Sequence, residues 1–437
     1  MKNLYKNFIL VDNFRSKISI IFVCLIPFSL SLGPFLPELF LLISCIILSS
    51  DIYKLRKKYF YNTSFFLFII FYAYILSNSL IQNLLLNVFF NFPDYNINLE
   101  IFKNYFFDQK SIIFFFRFFF YFVLIWYLFD QFKIFKKLFF LITFLSISLI
   151  GIDALLQYFS GYNLLGYTRT NQHRLSGIFK DEYILGSFFL KTYFIFLSLF
   201  VLYNNLKDNR NQLIYILINC FFGILIFLSG ERSAFFLFIF ALILSFILLN
   251  QIKSRLMIKF ILLFIIIITS TSILDGNIRD RIFKNTIEQF TNKDKSEIYI
   301  FTEVHHGHYM SAKLMLRENP FFGVGPKNFK IKCKEQQYKH YKARCEIHPH
   351  NYYVQLFSEL GFFGGIFIFF IFLFIFFKLF KIFIKNDKEK DSITILLIAL
   401  FMFLWPIVPH GNFFNNWNII LIIMNFSFYK HLSYKLI

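Results

Sequence analysis

Charge is scarce in this 437-residue chain, at 16% Asp, Glu, Lys and Arg, and negative charge is scarcer still, with 25 acidic residues against 45 basic ones. A net +20 invites a nucleic-acid reading, but the cations fall in short loops between apolar runs and form no basic face, so no nucleic-acid partner is expected. There is no glycine loop of the nucleotide-binding kind, no internal repeat and no low-complexity linker. The basic start (Lys2, Lys6, Arg15, Lys17) is followed by an apolar run but by no small-residue cleavage site; Gly33-Pro34 leads straight into the next run, which reads as a retained signal anchor. Of five cysteines, Cys24, Cys45 and Cys220 sit in apolar runs as small packing residues.

What the chain has in abundance is apolar length. Hydrophobic residues make up 57%, 71 of them Phe, and the mean hydropathy is +0.59. Many runs approach the roughly 20 residues that cross the ~30 Å hydrocarbon layer as helix. Twelve candidate spans follow: Ile18–Leu32, Phe35–Ser50, Ser64–Leu84, Ile112–Leu128, Leu138–Tyr158, Tyr183–Tyr203, Leu213–Leu228, Ser233–Leu249, Ile258–Leu274, Tyr353–Phe377, Ile393–Ile407 and Trp417–Phe428. The second is short enough to be a re-entrant hairpin instead. The expected fold is an all-α polytopic membrane protein.

Orientation follows from the distribution of Lys and Arg. With the N-terminus inside, the inner segments hold 23 of them and the short outer loops six. That places both termini in the cytoplasm and residues 275–352, between the ninth and tenth spans, outside as a large, mostly helical domain. The implied organisation is 1–150, N-terminal spans; 151–274, spans with arginine motifs; 275–352, the periplasmic loop domain; and 353–437, C-terminal spans. Within the outer domain Ser311–Glu318 reads as helix, ending at Asn319-Pro320, and Gly323, Gly325 and Pro326 force a turn. A piece this small barely sustains its own core. Cys333 and Cys345 share it, and in an oxidising compartment they are a candidate disulfide that stiffens the approach to His350.

Three residues stand where chemistry is expected. Arg174 lies in HRLSGIFKDEYILGS ahead of the sixth span, Arg232 in SGERSAFF ahead of the eighth, and His350 in EIHPHNYYVQLFSELGFFGG ahead of the tenth. All three following helices run from outside to inside, so their N-termini and free N–H groups face the same surface, a setting that suits phosphate oxygens. Against this stand plainer roles: headgroup anchoring for an outer arginine, a structural Glu231 partner for Arg232, and a solvated loop for His350. Arg117, inside the fourth span, reads as the partner of a buried acid such as Asp153. His305-x-x-His308 has metal-ligand spacing, but no carboxylate or thiolate completes a set, and no metal is expected.

HPHNYYVQLFSELGFFGG resembles the signature of the O-antigen ligase and polymerase superfamily, the Wzy/WaaL group of membrane glycosyltransferases. RLSGIFKDEYILGS, SGERSAFF and ENPFFGVGPKNF resemble its other motifs in the same order, and GIDALLQYFSGYNLLG fits as well, so the likeness covers about Asp153 to Gly365. The resemblance implies a metal-independent enzyme of the bacterial inner membrane, active on the periplasmic face. It would move a glycan from undecaprenyl diphosphate to an acceptor. The expected acceptor is the lipid A core of lipopolysaccharide, making the protein an O-antigen ligase. A polymerase joining lipid-linked repeats comes second and a protein O-oligosaccharyltransferase third, while a flippase or transporter stays open as a non-enzymatic class. The family's functional positions fall here on Arg174 and Arg232, as diphosphate holders, and on His350, as the base on the acceptor hydroxyl. Glu182 and Asn351 are candidates to orient the acceptor or the imidazole. No cofactor is implied; the partners are the lipid-linked donor, the acceptor and membrane lipids. One departure is visible: where many relatives carry another basic residue at the start of the outer-domain helix, this chain reads HHGHYM.

Overall fold

The computed structural model describes residues 13–82, 106, 108–204, 206–249, 254–291, 302–385 and 391–434, and among these the regular structure is helical, without strands. The last two residues of the third predicted span lie outside these ranges, as do part of the 275–352 segment (292–301) and several loop cations, Lys103 and Lys253 among them.

Each of the twelve apolar runs coincides with a helix. In chain order these are α1 (Phe14–Cys24), α2 (Phe35–Lys54), α3 (Thr63–Leu80), α4 (Arg117–Gln131), α5 (Lys133–Ser160), α6 (Leu185–Tyr203), α7 (Asn209–Leu228), α8 (Arg232–Leu248) and α9 (Ser254–Leu274). They continue with α10 (Glu303–Glu318) in the polar segment, then α11 (Tyr352–Lys385), α12 (Asp391–Phe403) and α13 (Asn416–Tyr434). Among the described residues seven helices are individually long and apolar enough to cross a membrane, and up to nine if each bent pair counts as one span, so the chain is a membrane protein. The second run is one continuous 20-residue helix and not a hairpin. The first is broken by 43° at Leu25, just ahead of Pro27, whose ring cannot continue a helix undisturbed. The ninth ends in a bend of 113° at Asp275, whose side chain accepts the Ile278 N–H and so starts the connector that begins with Gly276–Arg279.

Burial divides these helices. Fifteen of the nineteen residues of α6 are buried, and all thirteen of α12, which packs chiefly on α6 and α13. A helix apolar on every side belongs in the interior. At 1.5 Å per residue α12 reaches only about 20 Å, so the run that the sequence carries to Ile407 stops as helix at Phe403. The irregular stretch that follows finds its hydrogen bonds in protein, as non-helical backbone at such a position requires. By contrast, α2 and α3 leave Ile46 and Ile70 about two-thirds exposed, an apolar surface suited to lipid.

The polar segment 302–350 is fastened to α11 at a kink. Gly361 has φ +66, and a Cβ there would lie 2.3 Å from the Phe321 carbonyl carbon, so only glycine fits. The carbonyls freed by the kink are taken up by the ENPFFGVG turn: Val324 N–H donates to Ser358 O and Gly325 N–H to Glu359 O, both at 2.9 Å. Tyr74 of α3 donates its hydroxyl to Leu360 O at 2.5 Å. Two motifs about forty residues apart are therefore the two halves of one joint. The small core of this segment is Ala312, Met315, Val324, Phe329, Tyr338 and the disulfide pair Cys333–Cys345.

Candidate functional site

The loop carrying Arg174 is built by α5. Asp153 and Gln157, one helical turn apart, both reach into it. Asp153 accepts from the Asn163 side chain at 3.2 Å and from Leu164 N–H at 3.0 Å. Gln157 accepts Ser176 N–H and Gly177 N–H, and donates to Tyr167 O. This accounts for the GIDALLQYFSGYN stretch, and it corrects the pairing expected for Arg117, which bonds Glu38 at 3.1 Å and Asn416 at 3.0 Å instead. The loop is fixed further by the Arg169–Asp275 ion pair at 3.2 Å, which ties it to the bend after α9.

Arg174 and Arg232 come together because their loops touch. Leu175 N–H donates to Ser229 O, and Gly230, at φ +66, leaves no room for a side chain: a Cβ would lie 2.2 Å from His173 O. Arg174 donates to Tyr183 O at 2.7 Å and lies over the Tyr183 ring at 4.6 Å. Burial lowers its pKa, Glu231 opposes that shift, and the positive charge of Arg232 adds to it. A third arginine joins them. Arg281, carried back over the bundle by the 113° bend, donates its Nε–H to Gly230 O at 2.8 Å. Its pKa is pushed down to about 10 by burial and then by the charges of Arg174 and Arg232. Nothing local in the sequence marks Arg281; only the bend brings it to the other two.

Glu231, next to Arg232 in sequence, has partners of its own. It reaches across to the start of α6, where Oε1 accepts Gly186 N–H at 2.7 Å and Ser187 N–H at 3.2 Å and Oε2 accepts the Ser187 hydroxyl at 2.6 Å. Burial raises its pKa, and these donors with Arg174 counter the shift. The start of α11 is likewise filled by Asn351, whose Oδ1 accepts Tyr353 N–H and Val354 N–H while Nδ2 donates to Pro406 O and Val408 O. Two of the three helix N-termini expected to receive phosphate are thus capped by side chains. The arginine group is the remaining feature with the chemistry to take an anion.

His350 stands among imidazoles. Its ring centroid is 5.2 Å from that of His305, 5.7 Å from His308 and 4.4 Å from His348. Its Nε2 is 2.5 Å from a Glu346 carboxylate oxygen, and its backbone carbonyl accepts His410 N–H at 2.7 Å. α10 begins at Glu303, well before the predicted Ser311, with the Thr302 hydroxyl capping His305 N–H. The HHGH stretch is therefore helical, and the i, i+3 spacing puts His305 and His308 on the face toward His350. Gly307 allows the close approach, since a Cβ there would meet the Lys342–Ala343 backbone at 2.4 Å. Burial first, and the neighbouring charge of His350 second, lower His305, His308 and His348 each to about 4. Arg232 adds a minor electrostatic effect at His305, so the arginine group lies within electrostatic range of the imidazoles. Glu182 lies exposed in the turn after Phe179, and the Asn351 side chain holds backbone. Among the described residues no three His, Cys, Asp or Glu side chains are arranged to hold a metal ion.

A search of curated proteins finds no match. Residues 217–370 match the family model described as O-antigen ligase, which supports the superfamily resemblance read from the motifs and an activity of O-antigen ligase or polymerase type. The matched segment contains Arg232, Arg281 and the whole imidazole group; Arg174 precedes it.

Proposed function

We propose that this protein, an O-antigen ligase-like membrane glycosyltransferase by that match, transfers a polysaccharide from undecaprenyl diphosphate to the lipid A core of lipopolysaccharide at the periplasmic face of the inner membrane. The observation that carries the proposal is the gathering of three arginines at two touching loops, within electrostatic range of a group of imidazoles that includes a carboxylate-paired histidine. Guanidinium groups grip phosphate oxygens with two parallel donors, so Arg174, Arg232 and Arg281 bind the diphosphate. They also stabilise the charge that grows on it as the glycosidic bond breaks. His350 takes the proton of the acceptor hydroxyl while that oxygen attacks C1 of the donor sugar. The C1–O bond to the diphosphate breaks, its electron pair stays on the phosphate oxygen, and the products are the new glycoside and undecaprenyl diphosphate. Arg281 supplies the basic residue that HHGHYM lacks.

Deleting the gene and running lipopolysaccharide gels tests the reading. Loss of a ligase leaves bare core while lipid-linked polymer accumulates. Core bearing a single repeat would instead identify a polymerase, and an unchanged ladder would exclude both. In the ligase case, His350→Ala should restore protein but not transfer; transfer by that variant would remove His350 as the base.

A further inference from the structure

We infer that Glu346 is a positioning residue for His350, holding its Nε2–H so that Nδ1 is the nitrogen offered to the acceptor. The inference rests on the function proposed above and concerns how the same site works. A neutral imidazole has one donor nitrogen and one acceptor nitrogen, and the partner of one decides which is which. A carboxylate accepts only, so at 2.5 Å from Nε2 it selects the Nε2–H form and leaves the lone pair on Nδ1.

The pair is held from both ends. His350 has φ +58, a left-handed conformation that histidine adopts more readily than most side chains, and the reversal brings its ring back onto the residue four earlier. Its carbonyl is fixed by His410 N–H, and the Asn351 amide clamps the next residue to Pro406 and Val408. On the other side Cys345, directly before Glu346, is bonded to Cys333. Such fixing is what a base needs if its lone pair must meet a hydroxyl proton at hydrogen-bond distance.

The surroundings single out this imidazole. His305 and His308 face it from α10 and His348 from its own segment, all three held neutral near pH 7. Arg344 acts on Glu346 and His308, and Arg232 acts on His305. The pairing with His350 helps hold the Glu346 carboxyl below its ordinary range, so it is ionised at neutral pH. When His350 accepts the acceptor's proton, the ring charge forms against a carboxylate already in place. The side chains of His350 and Glu346 are 27% and 42% exposed, and a pair so open to water adds little to folding stability. Its value lies in orientation and charge.

The test uses the purified full-length protein with lipid-linked donor and lipid A core acceptor. Glu346→Gln should lower kcat roughly 10- to 100-fold, part of the ~10²–10⁴ that a general base supplies, with KM for both substrates nearly unchanged. Glu346→Asp should recover part of the rate, and adding Glu346→Gln to His350→Ala should cost nothing further. An unchanged kcat in Glu346→Gln, with His350→Ala inactive, overturns the positioning role and leaves the proposed function standing. A fall in Tm that accounts for the lost rate in both Glu346→Gln and Glu346→Ala also overturns it, as a structural effect. Activity in His350→Ala overturns the functional reading itself.

Discussion

The side-chain oxygen of Gln157 accepts the backbone N–H of Gly177 at 2.7 Å, and through it α5 sets the path of the loop that presents Arg174. The same oxygen takes Ser176 N–H, so a single carboxamide satisfies two buried donors. Gln157→Leu should leave both without a partner, at about 1–3 kcal/mol each. The expected result is a lower Tm in detergent and a KM for the lipid-linked donor raised more than kcat is lowered, because the arginine is displaced and the base is not. A donor KM equal to that of the parent would show that the loop holds its shape without α5.

The Cys333–Cys345 bond closes a short loop whose end is the residue before Glu346. Removing it as Cys333→Ser/Cys345→Ser should cost about 2–4 kcal/mol. The loss should appear first as faster proteolysis of the 302–350 region and reduced transfer, with the membrane bundle still folded. Thiol labelling of the untreated protein checks the premise: the two cysteines should react only after reduction.

Acid should loosen the same region. His305, His308 and His348 titrate near 4 in the fold and at about 6.5 when unfolded. Between those values the unfolded chain binds more protons, so stability falls as pH drops from about 6.5 toward 4 and is insensitive to these groups above that window. Tm measured across the range should decline on the acid side, and replacing His308, which is fully buried, with Phe should flatten the curve. A Tm constant from pH 7 to 4.5 would mean that the rings are hydrated and not held neutral.

Much of this arrangement was legible in the chain. Apolar runs located every helix but α10 because lipid leaves the backbone few alternatives, and the short motifs around Arg174, Arg232 and His350 are contiguous in sequence. What stayed hidden depends on contacts between distant segments. Arg281 carries no local signature and arrives through the bend at Asp275. The start of α10 was obscured by Gly307 and by polar histidines that give no apolar period, although the His305-x-x-His308 spacing was visible. Glu231 and Asn351 looked like companions of the neighbouring functional residue, whereas each is a cap, one for a different helix and one for its own. Glu346 stands four residues before His350 without a helix to announce the pairing; the positive φ at His350 creates it.

The joint between the ENPFFGVG turn and the kink at Gly361 has a mechanical consequence. α10, which brings two imidazoles, runs into that turn, and the turn is bonded into the helix that His350 precedes. α10 and the segment bearing His350 are thus coupled through one set of backbone bonds. In the proposed reaction the imidazoles and the base would therefore keep one mutual arrangement from donor entry to product release.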